Sequence, residues 1–307
     1  EDVVNKLNRL TKISKQDIIA FANRHFKDNF VCVYKKQGED TTQKKIDKPQ
    51  ITPIPSNRNE SSAFLNNIRN THTTPIQPQF LDFKRDLTFT KTKKKLPIVY
   101  KHNSEDGLFN LTLTWDFGTT ASKEYDVACN YIDYLGTSKK SAKDFKRELY
   151  KLACSLHISA KPRNITINLS GLDENMPKAL QLLNELMTDS KPDTAAYKQY
   201  VALVLKARQD NKQDQKKNFN ALINYVKFGP YNDVRNSVSE KELKALQPQH
   251  LVDLFQSLRK YEHTALYYGP TSVQQLSNDL DKLYHHFKKK WPTPQNKEYQ
   301  ERTTPQN

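Results

Sequence analysis

Between Leu108 and Phe117 the chain alternates without a break. Phe109, Leu111, Leu113 and Trp115 fall on one side of an extended strand, and Leu108, Asn110, Thr112 and Thr114 on the other. Side chains of a strand point to opposite faces with period two, so a sheet built on this segment buries one face and leaves the other open. The next apolar pattern has a different period. Tyr125, Ala128, Cys129 and Ile132 recur at helical spacing and can lay an apolar stripe on the buried face. A one-sided sheet followed by amphipathic helices predicts an α+β fold, a mostly antiparallel sheet with helices packed on one face.

The remaining segments extend that reading. Leu96–Lys101 and Leu108–Phe117 predict a hairpin around Asn103–Gly107, with a short strand at Leu87–Thr90 before it. Helices are expected at 122–135 and 141–152, and strands at 155–161 and 164–170. Further helices are expected at 175–188, 194–213, 218–228, 241–246 and 248–258. A strand at Thr264–Tyr268 and a helix at Ser272–Lys289 close the pattern. Near the start, Ser14 is an N-cap candidate for a helix to Phe26, and Asn29–Tyr34 reads as a strand. Gln249–Phe255 followed by Thr264–Pro270 repeats this helix-then-strand order, an internal echo that points to tandem related domains. The expected organisation is residues 1–36 as the closing helix and strand of a preceding domain, 37–80 as a linker, 81–290 as the main domain and 291–307 as a disordered tail. Pro49, Pro53 and Pro55 favour extended backbone in the linker.

Composition narrows the function classes. Of 307 residues only 7 are Gly, which disfavours a turn-rich all-β design, and 14 Phe and 15 Tyr can build a core despite a mean hydropathy of −0.84. The net charge of +15 comes from short scattered lysine clusters, not from basic residues interleaved with aromatics, so no nucleic acid is expected as partner. A solvated basic surface is the plain reading, with an anionic peptide or membrane surface as the other. Three widely spaced cysteines, Cys32, Cys129 and Cys154, predict buried structural thiols without a disulfide framework. No transmembrane segment is expected.

From Leu96 to Gly269 the order of strands and helices, with the turn Leu135-Gly-Thr137 after the first helix, resembles one repeat of the pitrilysin/insulinase (inverzincin) zinc metallopeptidases. Active repeats of that family carry H-x-x-E-H on this helix, where two His bind zinc and the Glu polarises water. Anchored on Gly136 and Thr137, the resemblance puts Val127, Asn130 and Tyr131 at those positions, and residues 121–140 contain no His. The later helix that would add a second Glu is most like Thr194–Arg208, which has no acid. The resemblance therefore implies a non-catalytic repeat with no catalytic and no metal residues of its own. It also implies a fragment of the C-terminal half of a peptidase, forming a wall of a peptide-degrading chamber. The implied partners are the catalytic half of the same polypeptide, with its Zn, and peptide substrates. The Arg and Tyr that grip substrate would belong to a domain beyond residue 307. A binding or structural module that reuses the fold without proteolysis is the other reading.

His157 is a weak candidate for substrate binding, because the strand it occupies lines the cleft in active repeats; a half-exposed sheet residue is the plainer role. His285 and His286, at a predicted helix end, read as dipole partners and not as chelators. His25 and His263 read as structural. Asp144 and Glu148 sit among lysines and read as a salt-bridged face. Sequons at Asn59, Asn110, Asn164 and Asn168 are read as chance matches.

Overall fold

A computed structural model describes Lys6, residues 9–36, Gly38, Thr42, Lys44, 47–53 and 60–303. Parts of the expected linker, the sequon at Asn59 and residues 304–307 lie outside the described residues. The chain forms two compact units, Glu1–Ile76 and Gln77–Asn307.

In the first unit, helix α1 (Lys15–His25) starts in a capping box. The Ser14 hydroxyl accepts from Asp17 N, and the Asp17 carboxylate accepts from Ser14 N. Helix α2 (Ala63–Asn70) is capped by Ser62. Neither helix buries a residue. Asn29–Tyr34, expected as a strand, has irregular backbone with no ladder partner among the described residues. Cys32, expected to be buried, is exposed for that reason.

The second unit begins with α3 (Phe83–Asp86), β1 (Thr88–Lys91), β2 (Pro97–His102) and β3 (Leu108–Trp115). It continues with α4 (Glu124–Ile132), α5 (Ala142–Lys151), β4 (Cys154–Ala160), β5 (Ile165–Leu172) and α6 (Met176–Asp189). Then follow α7 (Thr194–Asn211), α8 (Gln215–Phe228), α9 (Glu240–Ala245), α10 (Pro248–Ser257), β6 (Thr264–Gly269) and α11 (Val273–Leu283). The six strands form one sheet in the order β1-β2-β6-β3-β5-β4, antiparallel except for the β2–β6 pair. Helices cover one face. Leu111, Leu113, Trp115, Ile165, Ile167, Leu169 and Ala265 reach 0% exposure there, and Tyr125, Ala128, Cys129 and Ile132 of α4 join the same core. The α+β reading with helices on one face is the observed architecture.

Three local expectations are corrected. β2 and β3 do not pair as a hairpin, because β6 enters between them: Ile98 lies opposite Ala265, and Ala265 opposite Leu113. The connection is held open by Asn103, whose N–H donates to Gly269 O (2.9 Å) and whose amide is satisfied inside the loop by Asp106, Leu108 O and Glu105 N. The last helix ends at Leu283, six residues before the expected Lys289. Residues 291–303, expected to be disordered, lie across the domain. Asn296 Oδ1 accepts from Gly118 N (3.1 Å), Glu298 pairs with Arg163, Tyr231 OH donates to Lys297 O (3.1 Å), and Arg302 N donates to Lys227 O (2.7 Å). Polar side chains tether this strap, so no apolar pattern announced it.

Candidate functional site

The feature most open to chemistry is a cleft between α4 and α7. α4 opens with Glu124 and Asp126 in its first turn, favourable at the positive end of the helix dipole. α7 is capped by Asp193, whose side chain accepts from Ala196 N. The helices meet through tyrosines. The Tyr131 ring lies 5.2 Å from Tyr197 in a T-shaped contact and 6.2 Å from Tyr200, and Tyr134 lies 5.6 Å from Tyr200. Tyr131 OH donates to Asp193 O (2.7 Å) and accepts from Asp193 N (2.9 Å), and Tyr197 OH donates to Leu243 O (2.6 Å). Burial raises the phenols of Tyr131, Tyr197 and Tyr200 above their usual range, Tyr197 to about 12, so all three stay protonated.

Beside this cluster opens a cleft of about 850 Å³, lined among others by Asp126, Val127, Asn130, Leu203, Arg208 and Val238. The Asn130 amide donates to Asp126 O and Oδ1, each at 2.8 Å. Lost hydration raises the Asp126 carboxyl, against the pull of Asn130 and Arg208.

The structure thus brings the three positions singled out in sequence to one helix facing α7. Val127 and Tyr131 are buried in the core and Asn130 faces the cleft. These residues do not fit zinc. Val127 has no donor atom, the Tyr131 hydroxyl is committed to Asp193, and the Asn130 amide is committed to Asp126. Among the described residues no group of three His, Cys, Asp or Glu could hold a metal ion.

The second surface is the open face of the sheet. Residues opposite one another across the strands form a row, Phe89, Val99, Leu266, Thr112, Asn168 and His157. The row is apolar on the β1 side and polar on the β4 side. Asn168 Nδ2 donates to Asn110 Oδ1 and Thr112 Oγ1, both at 2.8 Å, and Ser155–Ser170 and Ser159–Thr166 hydroxyl pairs follow at 3.0 Å. His157 is exposed on edge strand β4, at the far end of that row.

Other candidates resolve into structure. Asp144 accepts from Ser141 at the start of α5 and lies 3.9 Å from Arg147, while Glu148 lies 3.8 Å from Lys140. His285 and His286 fall beyond the last helix, not on it. His286 is buried and stacks on Tyr284, whose hydroxyl meets His263 Nε2 at 3.0 Å. Cys129 and Cys154 are buried, and burial pushes both thiols up. The tyrosine cluster was missed in sequence. The signal for it was present in the one-turn spacing of Tyr197 and Tyr200, beside Tyr131 and Tyr134.

No protein-family profile matches the sequence. No curated protein matches it either. Solved structures do match. A peptidase M16 inactive domain from Pseudomonas fluorescens superposes with a TM-score of 0.55 at 13% identity, over 64% of this chain and 50% of that one. The periplasmic protease PqqL from Escherichia coli gives 0.59 at 13% identity, over 97% of this chain and 31% of that one. The ferredoxin protease FusC, solved with Arabidopsis ferredoxin, gives 0.60 at 14% identity, over 94% and 30%. The chain therefore spans about half the length of the first of these structures and under a third of the other two. At these identities the likeness concerns the fold, and that fold is the one of the peptidase M16 inactive domain.

Proposed function

We propose that the chain is a non-catalytic part of a larger pitrilysin-like zinc peptidase, in which it forms a wall of the peptide-degrading chamber. The observation that carries this reading is the α4–α7 pair. The resemblance puts the zinc-ligand positions of active repeats on these two helices, and here the pair is held together by packed tyrosines, Tyr131, Tyr197 and Tyr200. Zinc and the general base would belong to the catalytic half of the same polypeptide. This chain would supply enclosure and orientation of peptide substrates, chiefly through the open sheet face that ends at His157.

The test has two arms. Metal analysis of the chain alone is expected to find no stoichiometric zinc, and a quenched-peptide assay no cleavage. The longer polypeptide is then compared with and without Gln77–Asn307. Loss of peptide cleavage on deletion, with zinc content retained, supports the wall role. Unchanged cleavage overturns it, and a longer polypeptide that neither holds zinc nor cleaves favours a module that reuses the fold without proteolysis.

A further inference from the structure

Two lysine runs that look scattered in sequence, 93–95 and 288–290, converge in the fold. The turn between β1 and β2 is bolted to the end of α11: Lys93 N and Lys94 N donate to the Asp281 carboxylate (2.8 and 3.1 Å), and Lys94 Nζ donates to Asp281 O. Just beyond α11 the second run is pinned to the turn after α10. Phe287 N donates to Arg259 O (3.3 Å) and Trp291 N to Lys260 O (2.8 Å). Lys94 and Lys290 both act on the buried His286 between them and help hold it neutral, lowered to about 4 by lost hydration first and by these cations next. Elsewhere several surface lysines have acidic partners, as in Lys123–Glu242, Lys140–Glu185 and Lys206–Asp210. Among the described residues none of the lysines at 93, 95, 260, 288 and 289 forms an ion pair, and Lys290 Nζ lies 3.3 Å from His286 Nδ1. Lys95 also sits at φ +67, a left-handed backbone that Gly or Asn adopts at lower cost.

We propose that this patch docks the protein on a membrane surface rich in anionic phospholipid. Charge alone would suit any polyanion, and the aromatics decide between them. Phe287 and Trp291 flank the second run and are 38% and 47% exposed. Each ring already carries a cation: Lys260 Nζ stands 4.2 Å over Trp291, which also makes a T-shaped contact with Tyr261, and the Arg259 guanidinium stands 5.6 Å over Phe287. Nucleic-acid bases need free ring faces to stack on. Half-exposed aromatics among lysines suit the headgroup layer, where rings settle and lysines meet lipid phosphates.

The experiment is co-sedimentation of the full chain with vesicles of phosphatidylcholine alone or with about one-third phosphatidylglycerol, across a salt series. Binding is expected only to the anionic vesicles and is expected to fade as salt screens it. Lys93→Gln with Lys95→Gln, or Lys288→Gln with Lys289→Gln, is expected to weaken partitioning by on the order of thirtyfold. Trp291→Ala, at unchanged charge, is expected to weaken it by roughly tenfold. The control pair Lys143→Gln with Lys146→Gln, on exposed α5 positions, should leave it within about twofold. Absence of vesicle binding overturns the proposal, and so does a control that falls as far as the patch variants. Equal competition by a single-stranded oligonucleotide, together with no effect of Trp291→Ala, overturns it in favour of a general polyanion surface.

Discussion

Gln16–Tyr34 and Gln249–Tyr267 run in step at a constant offset of 233 positions: Ile18 and Ile19 match Leu251 and Val252, Cys32 matches Ala265, and Tyr34 matches Tyr267. Both form the helix. Only the second forms the strand. Leu251, Val252 and Ala265 are at most 1% exposed, whereas Ile18 is 61% and Val31 and Val33 are 90% and 87% exposed. A helix closes its hydrogen bonds within its own segment, and a good cap suffices to start it. A strand leaves half its backbone groups to a neighbour, so the same apolar run becomes a strand only where another segment offers an edge. β2 and β3 offer two such edges to β6. The same pattern thus reports a capacity in one place and a structure in the other.

The largest expected effect breaks the symmetry of the two tyrosines. Tyr267 stacks on Tyr100 at 5.7 Å, donates to Asp173 (2.7 Å) and accepts from Thr271 N (3.1 Å). Tyr267→Ala should cost about 3–5 kcal/mol in urea unfolding, and Tyr34→Ala should stay within about 0.5 kcal/mol. Similar losses at both positions would mean that Asn29–Tyr34 is packed in solution like its counterpart.

The two faces of β3 sharpen the point within one strand. Leu111→Ala or Leu113→Ala should cost about 2–5 kcal/mol, since both are fully buried. Thr112→Ala should cost about 1 kcal/mol, more than a bare open face implies, because Thr112 donates to Asn110 and accepts from Asn168. A Thr112 loss above the Leu losses would reverse the faces of the sheet.

These results also mark what the sequence made legible. Period-two and period-3.6 patterns are local, and they sufficed for the α+β class, the buried side of β3 and the stripe of α4. β6 entering between β2 and β3 depends on a segment far along the chain, and Asn103–Gly107 reads in sequence as an ordinary hairpin turn, since the bond from Asn103 N to Gly269 O exists only once β6 is in place. The strap at 291–303 was missed because Asn296, Lys297 and Tyr299 act through polar and ring contacts that have no periodic signature. At the α4–α7 cleft the sequence itself shows that residues 121–140 contain no His and 194–208 no acid. The tyrosines that fill the space need the two helices to face each other before their roles emerge.

A third difference concerns acid. The residue before β6 is His263, stacked on Trp115 at 4.7 Å, and its counterpart Phe30 is exposed. Lost hydration lowers His263 to about 3 and His286 to about 4, from 6.5. Between those values and 6.5 the unfolded chain binds more protons than the folded one, so stability falls as pH falls. From pH 7 to pH 5 the loss should be about 1–2 kcal/mol per histidine. His263→Phe should flatten the urea midpoint against pH over that range. A slope unchanged in this variant would place the acid sensitivity elsewhere.

The smallest effect on stability is expected at Cys32, and it has the sharpest readout. Cys32→Ala should change the urea midpoint little, because the side chain is exposed. In the chain alone a thiol reagent should modify Cys32 rapidly, while Cys129 and Cys154 should react only on unfolding, being buried with their thiols pushed up. If Asn29–Tyr34 closes a related domain in a longer polypeptide, Cys32 takes the place that Ala265 holds between two neighbouring strands, where exposure is 0%. Labelling of Cys32 in that longer polypeptide should then slow to the rate of the buried pair. Equally fast labelling in both contexts would mean that the first copy of the pattern never completes a sheet, and that its echo of α10 and β6 stops at the helix.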